Sequence, residues 1–161
     1  YIQKGIDEGA TVLVGGPDQP DDKETGFYVK PTVFGGVTPD MSIAQEEIFG
    51  PVLAVIPYRD VSEAIGLANQ TIYGLGAAVW SRNIQVAIEV AKRIRAGTVW
   101  INDHHLIIPH ATFNGMKQSG FGNEHGLAGY LDYTQAKHIH VDMMQRREGR
   151  VWWDALLPPS D

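Results

Sequence analysis

The chain has 161 residues, 43% of them apolar and 20% charged, and its 13 basic and 19 acidic side chains leave a net charge of −6. That composition fits one ordinary globular domain, expected to bury roughly two-thirds of the surface its unfolded form exposes, and no apolar run nears the roughly 20 residues of a membrane span. An acidic chain lacks the general attraction to phosphate backbones and anionic lipid, so nucleic acid and membrane are excluded as expected partners.

Tyr1 to Ala10 reads as helix, with Ile2 and Ile6 four apart on one face. The helix is already under way at Tyr1, so the N-terminus is expected to be a boundary inside a longer protein. Thr11 to Val14 is a short strand stopped by Gly15 and Gly16, and Pro17 to Thr25 is a polar surface loop. Thr32-Val33-Phe34 is a second strand, ended by Gly35 and Gly36. Beyond Pro51 the run Val52 to Ile56 is continuously apolar, as in a parallel strand covered on both faces, and Pro57 ends it. Asp60, with Glu63 three residues on, caps a helix whose Val61, Ala64, Ile65 and Ala68 form an apolar stripe. Ala77 to Trp80 follows as a strand. Asn83 opens another helix with Ile84, Ala87, Ile88, Ala91 and Ile94 inward, a Glu89–Arg93 pair four apart, and Gly97 as its stop. Thr98 to Ile101 is the next strand. The alternation from Val52 to Asn102 predicts an α/β fold, a parallel sheet with flanking helices.

From His104 to Gly126 the periodicity gives way to Pro109, Gly115, Gly120, Gly122 and Gly126, a long ordered loop of the kind that lines a site. Ala136 to Val141 alternates apolar and polar, predicting a half-buried strand. The tail from Arg146 carries Trp152, Trp153, Leu156 and Leu157 between charges and prolines, an apolar surface expected to dock on something. There is no cysteine, hence no disulfide frame, and no basic-plus-apolar leader, so a cytoplasmic location is expected. Six histidines invite a metal reading, but neither the group His104, His105 and His110 nor the pair His138 and His140 has a metal-site spacing, and no metal is expected.

Five blocks, in order, resemble the C-terminal third of an aldehyde dehydrogenase: Gly26 to Phe34; Glu46-Glu47-Ile48-Phe49-Gly50-Pro51-Val52; Tyr73-Gly74-Leu75; Gly97 to Asn102; and Lys117-Gln118-Ser119-Gly120 with Gly122, Glu124 and Gly126. The resemblance implies that residues 1–135 are the C-terminal part of the catalytic domain and residues 136–161 an oligomerisation strand and tail. A homo-oligomer, dimer or tetramer, is implied. So is NAD or NADP as cofactor, with Glu47 accepting hydrogen bonds from the nicotinamide-side ribose and Phe49 lying against the nicotinamide. Those residue types suit that work, since a carboxylate accepts two hydroxyl donors and an aromatic wall orients a flat ring.

By the same resemblance Asn102 through Phe113 borders the aldehyde channel, making Asp103, His104, His105 and Phe113 candidate substrate-facing residues. The stretch from Asn102 to Lys117 is most similar to aminoaldehyde and betaine-aldehyde types, and an acid beside imidazoles favours a polar or cationic aldehyde. Two departures stand out. Asn114 takes the place of the family's usual Gly, where its tolerance of a left-handed backbone is expected to preserve the turn, and Asn123 takes the place of Arg before Glu124. In the family's chemistry a thiolate adds to the aldehyde, hydride passes to nicotinamide, and water activated by a carboxylate releases the acid. With no cysteine in the chain, no catalytic residue is assigned, and the thiolate and general base are expected upstream of Tyr1. The competing reading is a non-catalytic oligomerisation or binding module derived from that fold.

Overall fold

The computed structural model describes residues 1–23, 25–143, 146 and 149–156, without the side chains of 153 and 154. The first unit places helix α1 (Ile2–Asp7) before strand β1 (Thr11–Val14), then β2 (Thr32–Gly35), the short helix α2 (Ser42–Gln45) and β3 (Val52–Ala54). β1 runs antiparallel to β2 with a register shift between Val12 and Val14, and β2 runs parallel to β3, Thr32 opposite Val52. Phe34, Val37, Ile43 and Ala10 form the buried centre, with Ile2 and Ile6 of α1 packed on it, as their spacing predicts. Gly5 is where α1 meets α2: a Cβ there would stand 3.0 Å from the Ile43 side chain and 3.2 Å from Phe34, so the glycine sets how closely the two helices approach.

The second unit contains α3 (Val61–Gln70), β4 (Tyr73–Gly74), β5 (Gly76–Val79), α4 (Ile84–Ala91) and β6 (Thr98–Ile101). β5 and β6 pair in parallel from Gly76↔Thr98 to Val79↔Ile101, with α4 as the crossover between them. Asp60 caps α3 by accepting from the Glu63 backbone N–H, and Asn83 caps α4 by accepting from that of Val86. The return half of the expected capping box is displaced by one residue. The Glu63 carboxylate accepts from the backbone N–H of Arg59, not of Asp60, at 2.6 Å.

The glycine-rich stretch that follows is not one uninterrupted loop. It holds β7 (Phe113–Asn114), β8 (Met116–Lys117), β9 (Asn123–Glu124) and α5 (Gly126–Leu131), with β8 pairing antiparallel to β4 and β7 to β9. Helix α6 (Val151–Leu156) follows near the C-terminus.

The α/β class stands, but several details differ from the sequence reading. Among the described residues β3 and β5 share no ladder, so the single sheet expected from Val52 to Asn102 is two pieces, β1-β2-β3 and β5-β6. β3 is an edge with Leu53 59% exposed, where burial on both faces was expected. Ile84 lies outward rather than in the core. Glu89 pairs with Lys92 at 2.8 Å instead of with Arg93, because α4 ends at Ala91 and the chain turns away before Arg93 completes the helical spacing. For the same reason Gly97 is not the helix stop.

Residues 136–141 form no strand: Ile139 and Val141 stand in solvent with no ladder partner, and alternation alone cannot satisfy a strand's backbone groups. Val151, Trp152 and Leu156 of the tail helix are likewise exposed, while Leu157 and the side chain of Trp153 lie outside the described residues. The total accessible surface is 12472 Å², against roughly 8000 Å² for a compact monomer of this mass. The chain thus buries less than the roughly two-thirds expected from its length, and much of its apolar surface is left uncovered.

Candidate active-site wall

Helix α2 delivers Glu46, Glu47 and Phe49. Its first turn is fixed from outside, where the Glu8 carboxylate accepts from the Ser42 backbone N–H at 2.7 Å and from the Ser42 hydroxyl at 2.6 Å. At its other end the chain leaves the helix at Glu46 in an extended conformation. Tyr1 Oη donates to one Glu46 carboxylate oxygen at 2.7 Å and Lys4 Nζ to the other at 3.2 Å. The Tyr1 hydroxyl, then Lys4, hold the Glu46 carboxyl below its ordinary range, and the same contact raises the Tyr1 phenol.

Glu47 is different in kind. It is exposed and makes no hydrogen bond or ion pair among the described residues, so both oxygens remain available. Two residues later Phe49 adopts φ 53 with its ring 93% exposed. A left-handed backbone at an aromatic residue costs about 1–2 kcal/mol and persists only where its surroundings impose it. Here Ile48 packs on the core beside it, and just beyond, the Thr32 N–H donates to Pro51 O at 2.8 Å. Folding alone does not call for an exposed ring held in a strained backbone beside a carboxylate that is unpaired among the described residues.

Glu46 and Glu47 form one wall of a cleft of about 410 Å³, whose far wall includes Tyr73, Gly74, Leu75 and Ser119. A shallower recess of about 300 Å³ takes in Glu47 and Phe49 together. The far wall draws on two of the sequence blocks, and these are bonded to each other and, behind them, to a third. Tyr73 and Gly74 pair with Lys117 and Met116, and the Ser119 hydroxyl accepts from the Gly74 N–H at 2.9 Å. Gly97 donates its N–H to Gly74 O, and a Cβ on Gly97 would overlap the Asn114 carbonyl oxygen, so only glycine allows these segments to meet. Lys117 places its ammonium on Asn69 O at 3.3 Å and Thr71 O at 2.9 Å, where a cation suits the carbonyl end of α3. Sequence reasoning found these blocks but missed that Gly74, Gly97, Lys117 and Ser119 form one joint. The available signal was a lysine and a serine flanked by glycines at both ends of an otherwise aperiodic stretch.

The four substrate-facing candidates separate into two groups. His104 and His105 gather around Trp100, whose ring lies 5.6 Å from His104 and 6.3 Å from His105 and whose indole N–H donates to Leu106 O at 2.9 Å, while the Asp103 carboxylate accepts from the His104 backbone N–H at 2.7 Å. Asn102 makes that corner at φ 55, its side chain accepting from the Ser81 N–H and donating to Ser81 O. Phe113 instead lines a second cleft of about 360 Å³ with Phe121, Glu124 and Tyr133, which adjoins the first through the shared Leu75 and Ser119. The linings of these two clefts include Phe113 and Glu47 but not Asp103, His104 or His105.

Both departures from the family pattern have structural answers. Asn114 pairs within β7 without a left-handed backbone, so that tolerance is not called upon. Asn123 replaces charge pairing with two hydrogen bonds to Asp132, at 2.8 Å from its backbone N–H and 3.1 Å from its side chain.

The pattern of the aldehyde dehydrogenase family matches residues 1–139. The chain belongs to this family. A betaine aldehyde dehydrogenase of Bacillus subtilis (strain 168) is 49% identical over 142 residues, covering 87% of this chain and 29% of that protein. The solved NAD-dependent aldehyde dehydrogenase of Sinorhizobium meliloti superposes with a TM-score of 0.83 at 48% identity, covering 88% of this chain and 28% of the other. A betaine aldehyde dehydrogenase of Staphylococcus aureus in complex with NAD+ gives 0.83 at 45% identity, covering 86% and 28%. The chain thus spans less than a third of the aldehyde dehydrogenases it matches.

Proposed function

We propose that this chain is the C-terminal portion of an NAD(P)-dependent aldehyde dehydrogenase that oxidises an aldehyde to a carboxylic acid. Its own contributions are the nicotinamide-ribose contact, part of the aldehyde channel and the oligomer interface. The observation that carries the reading is the unpaired Glu47 carboxylate beside the outward ring of Phe49. The donor set fits the group it would meet: Glu47 accepts from ribose hydroxyls, Phe49 offers a flat apolar face, and Pro51 and Ile48 keep both in place. The bound dinucleotide supplies a two-electron acceptor. This chain's residues bind and orient it, and the nucleophile belongs to cysteine-bearing chain outside this sequence. NAD+ is the dinucleotide in the related Staphylococcus aureus structure.

Asp103, His104, His105 and Phe113 are the residues we assign to the aldehyde. The imidazoles around Trp100 and the neighbouring acid Asp103 suit a polar or cationic aldehyde, in keeping with the betaine aldehyde dehydrogenases among the relatives. Residues 1–135 belong in this reading to the catalytic domain and 136–161 to an oligomerisation strand and tail, with the exposed 136–141 segment completing a sheet in a neighbouring subunit. Among the described residues no helix is long and apolar enough to cross a membrane, and a cysteine-free chain suits the cytoplasm.

Kinetics of the complete subunit against aliphatic, aromatic and amino aldehydes, with NAD+ and NADP+ in parallel, tests the assignment. The expected result is dinucleotide-dependent acid formation with preference for amino aldehydes, and no turnover with any aldehyde would overturn it. Deleting residues 137–161 from that subunit is expected to lower its sedimentation mass, and an unchanged mass would remove the interface role. The competing reading, a free-standing non-catalytic module, is disfavoured by the large uncovered surface, which an independent module would bury.

A further inference from the structure

Glu46, the neighbour of the cofactor residue, has a task of its own. It sits where the chain leaves α2, and a carboxylate there gains nothing from the partial negative charge of a helix's carbonyl end. What holds it comes from outside: the Tyr1 hydroxyl on one oxygen and the Lys4 ammonium on the other. The opposite end of α2 is gripped from the same side, with Glu8 on the Ser42 N–H and hydroxyl. The first helix and its flanks therefore carry an acid to the amide end of α2 and a phenol with a cation to its carbonyl end. Between these grips Gly5 lies against Ile43, where an added methyl group would stand 3.0 Å from the Ile43 side chain and press on it. A four-residue helix does not hold its own shape, so its exit direction depends on these contacts. One residue on is Glu47, and three residues on is the strained Phe49.

We propose that Tyr1, Lys4 and Glu46 form a positioning clamp that sets where Glu47 and Phe49 stand, and so controls affinity for the nicotinamide half of the dinucleotide without touching it. This rests on the assignment of Glu47 and Phe49 made above. All three clamp residues are about half exposed, and exposed ion pairs contribute little to folding. Losing the clamp is therefore expected to show chiefly in cofactor affinity, with only a small change in unfolding temperature.

The test uses the complete subunit with Glu46→Gln, Tyr1→Phe, the double variant and Glu47→Gln, reading KM for NAD+, kcat, inhibition by AMP and unfolding temperature. Glu46→Gln and Tyr1→Phe are each expected to raise KM for NAD+ about three- to tenfold, with inhibition by AMP, which carries only the adenosine half, unchanged. The double variant is expected to be less damaging than the two single effects added together, since both act on the same contact. Normal KM in Glu46→Gln and Tyr1→Phe beside a raised KM in Glu47→Gln overturns the clamp and leaves the ribose assignment intact. Normal KM in Glu47→Gln removes the ribose assignment and the clamp with it. Parallel loss of NAD+ and AMP binding, or a large fall in unfolding temperature, also overturns the clamp, by showing a general structural role.

Discussion

Two adjacent carboxylates, Glu46 and Glu47, carry the same chemistry into opposite situations. Glu46 is fully engaged by Tyr1 and Lys4, and Glu47 is bare. The engagement of Glu46 shows in its titration. The Glu46 carboxyl is depressed below its ordinary 4.5, so its contribution to stability is complete above that value and is lost as pH falls through the lowered folded value. The Tyr1 phenol is raised above 10.0, so its share persists through neutral pH and disappears only in strong alkali. The stability difference between wild type and Tyr1→Phe is thus expected to be flat across neutral pH and to shrink below about 4.5, as read by denaturant titration at each pH. A difference that instead grows in acid would mean that Glu46 is not the partner. The sequence pointed to Glu47 and Phe49 through a motif but gave no reason to separate Glu46 from its neighbour, because the residues that engage it lie more than 40 positions away.

At the level of elements, local rules worked where neighbours in sequence supply the contacts. The caps Asp60 and Asn83 bond as their types predict, and β1, β2 and β6 lie where β-branched runs border a glycine. Asp60→Ala is expected to cost about 1 kcal/mol through the loss of the Glu63 N–H partner, measured by denaturant unfolding of the complete subunit. A change near zero would show that the Arg59–Glu63 contact alone holds that end. Rules failed where the contact is distant. Gly97 satisfies the sequence signature of a helix stop, yet its real constraint is the Asn114 carbonyl 17 positions on. The segment 104–126 lacks any period because its strands are two residues long and pair with β4 or with each other, and such short ladders leave no alternation to detect. The alternating 136–141 segment shows the converse, a pattern without the partner that would make it a strand.

For the whole molecule, the surface is the informative quantity. Leu13, Leu53, Phe27, Phe121 and Tyr133 are all exposed, and β3 ends its sheet with an open edge. Surfaces of this kind mark interaction sites or become aggregation liabilities when left uncovered. The isolated 161-residue chain is therefore expected to bind a hydrophobic dye strongly, to self-associate, and to produce no NADH with any aldehyde. Dye fluorescence, sedimentation and an absorbance assay read these three outcomes. A monomeric, dye-silent chain would contradict the reading of its surface, and NADH production would contradict the absence of a catalytic residue within it.

The sequence by itself determined the family, the α/β class and the helix caps, because ordered motifs, local periodicity and side-chain chemistry are written in contiguous residues. Only the tertiary structure decided that the sheet is divided, that three motif blocks form one joint opposite Glu47, and that Phe113 stands in a cleft adjoining it while His104 and His105 gather around Trp100. Each of those depends on backbone contacts between segments far apart in the chain, and such contacts leave no signal in the residues on either side of them.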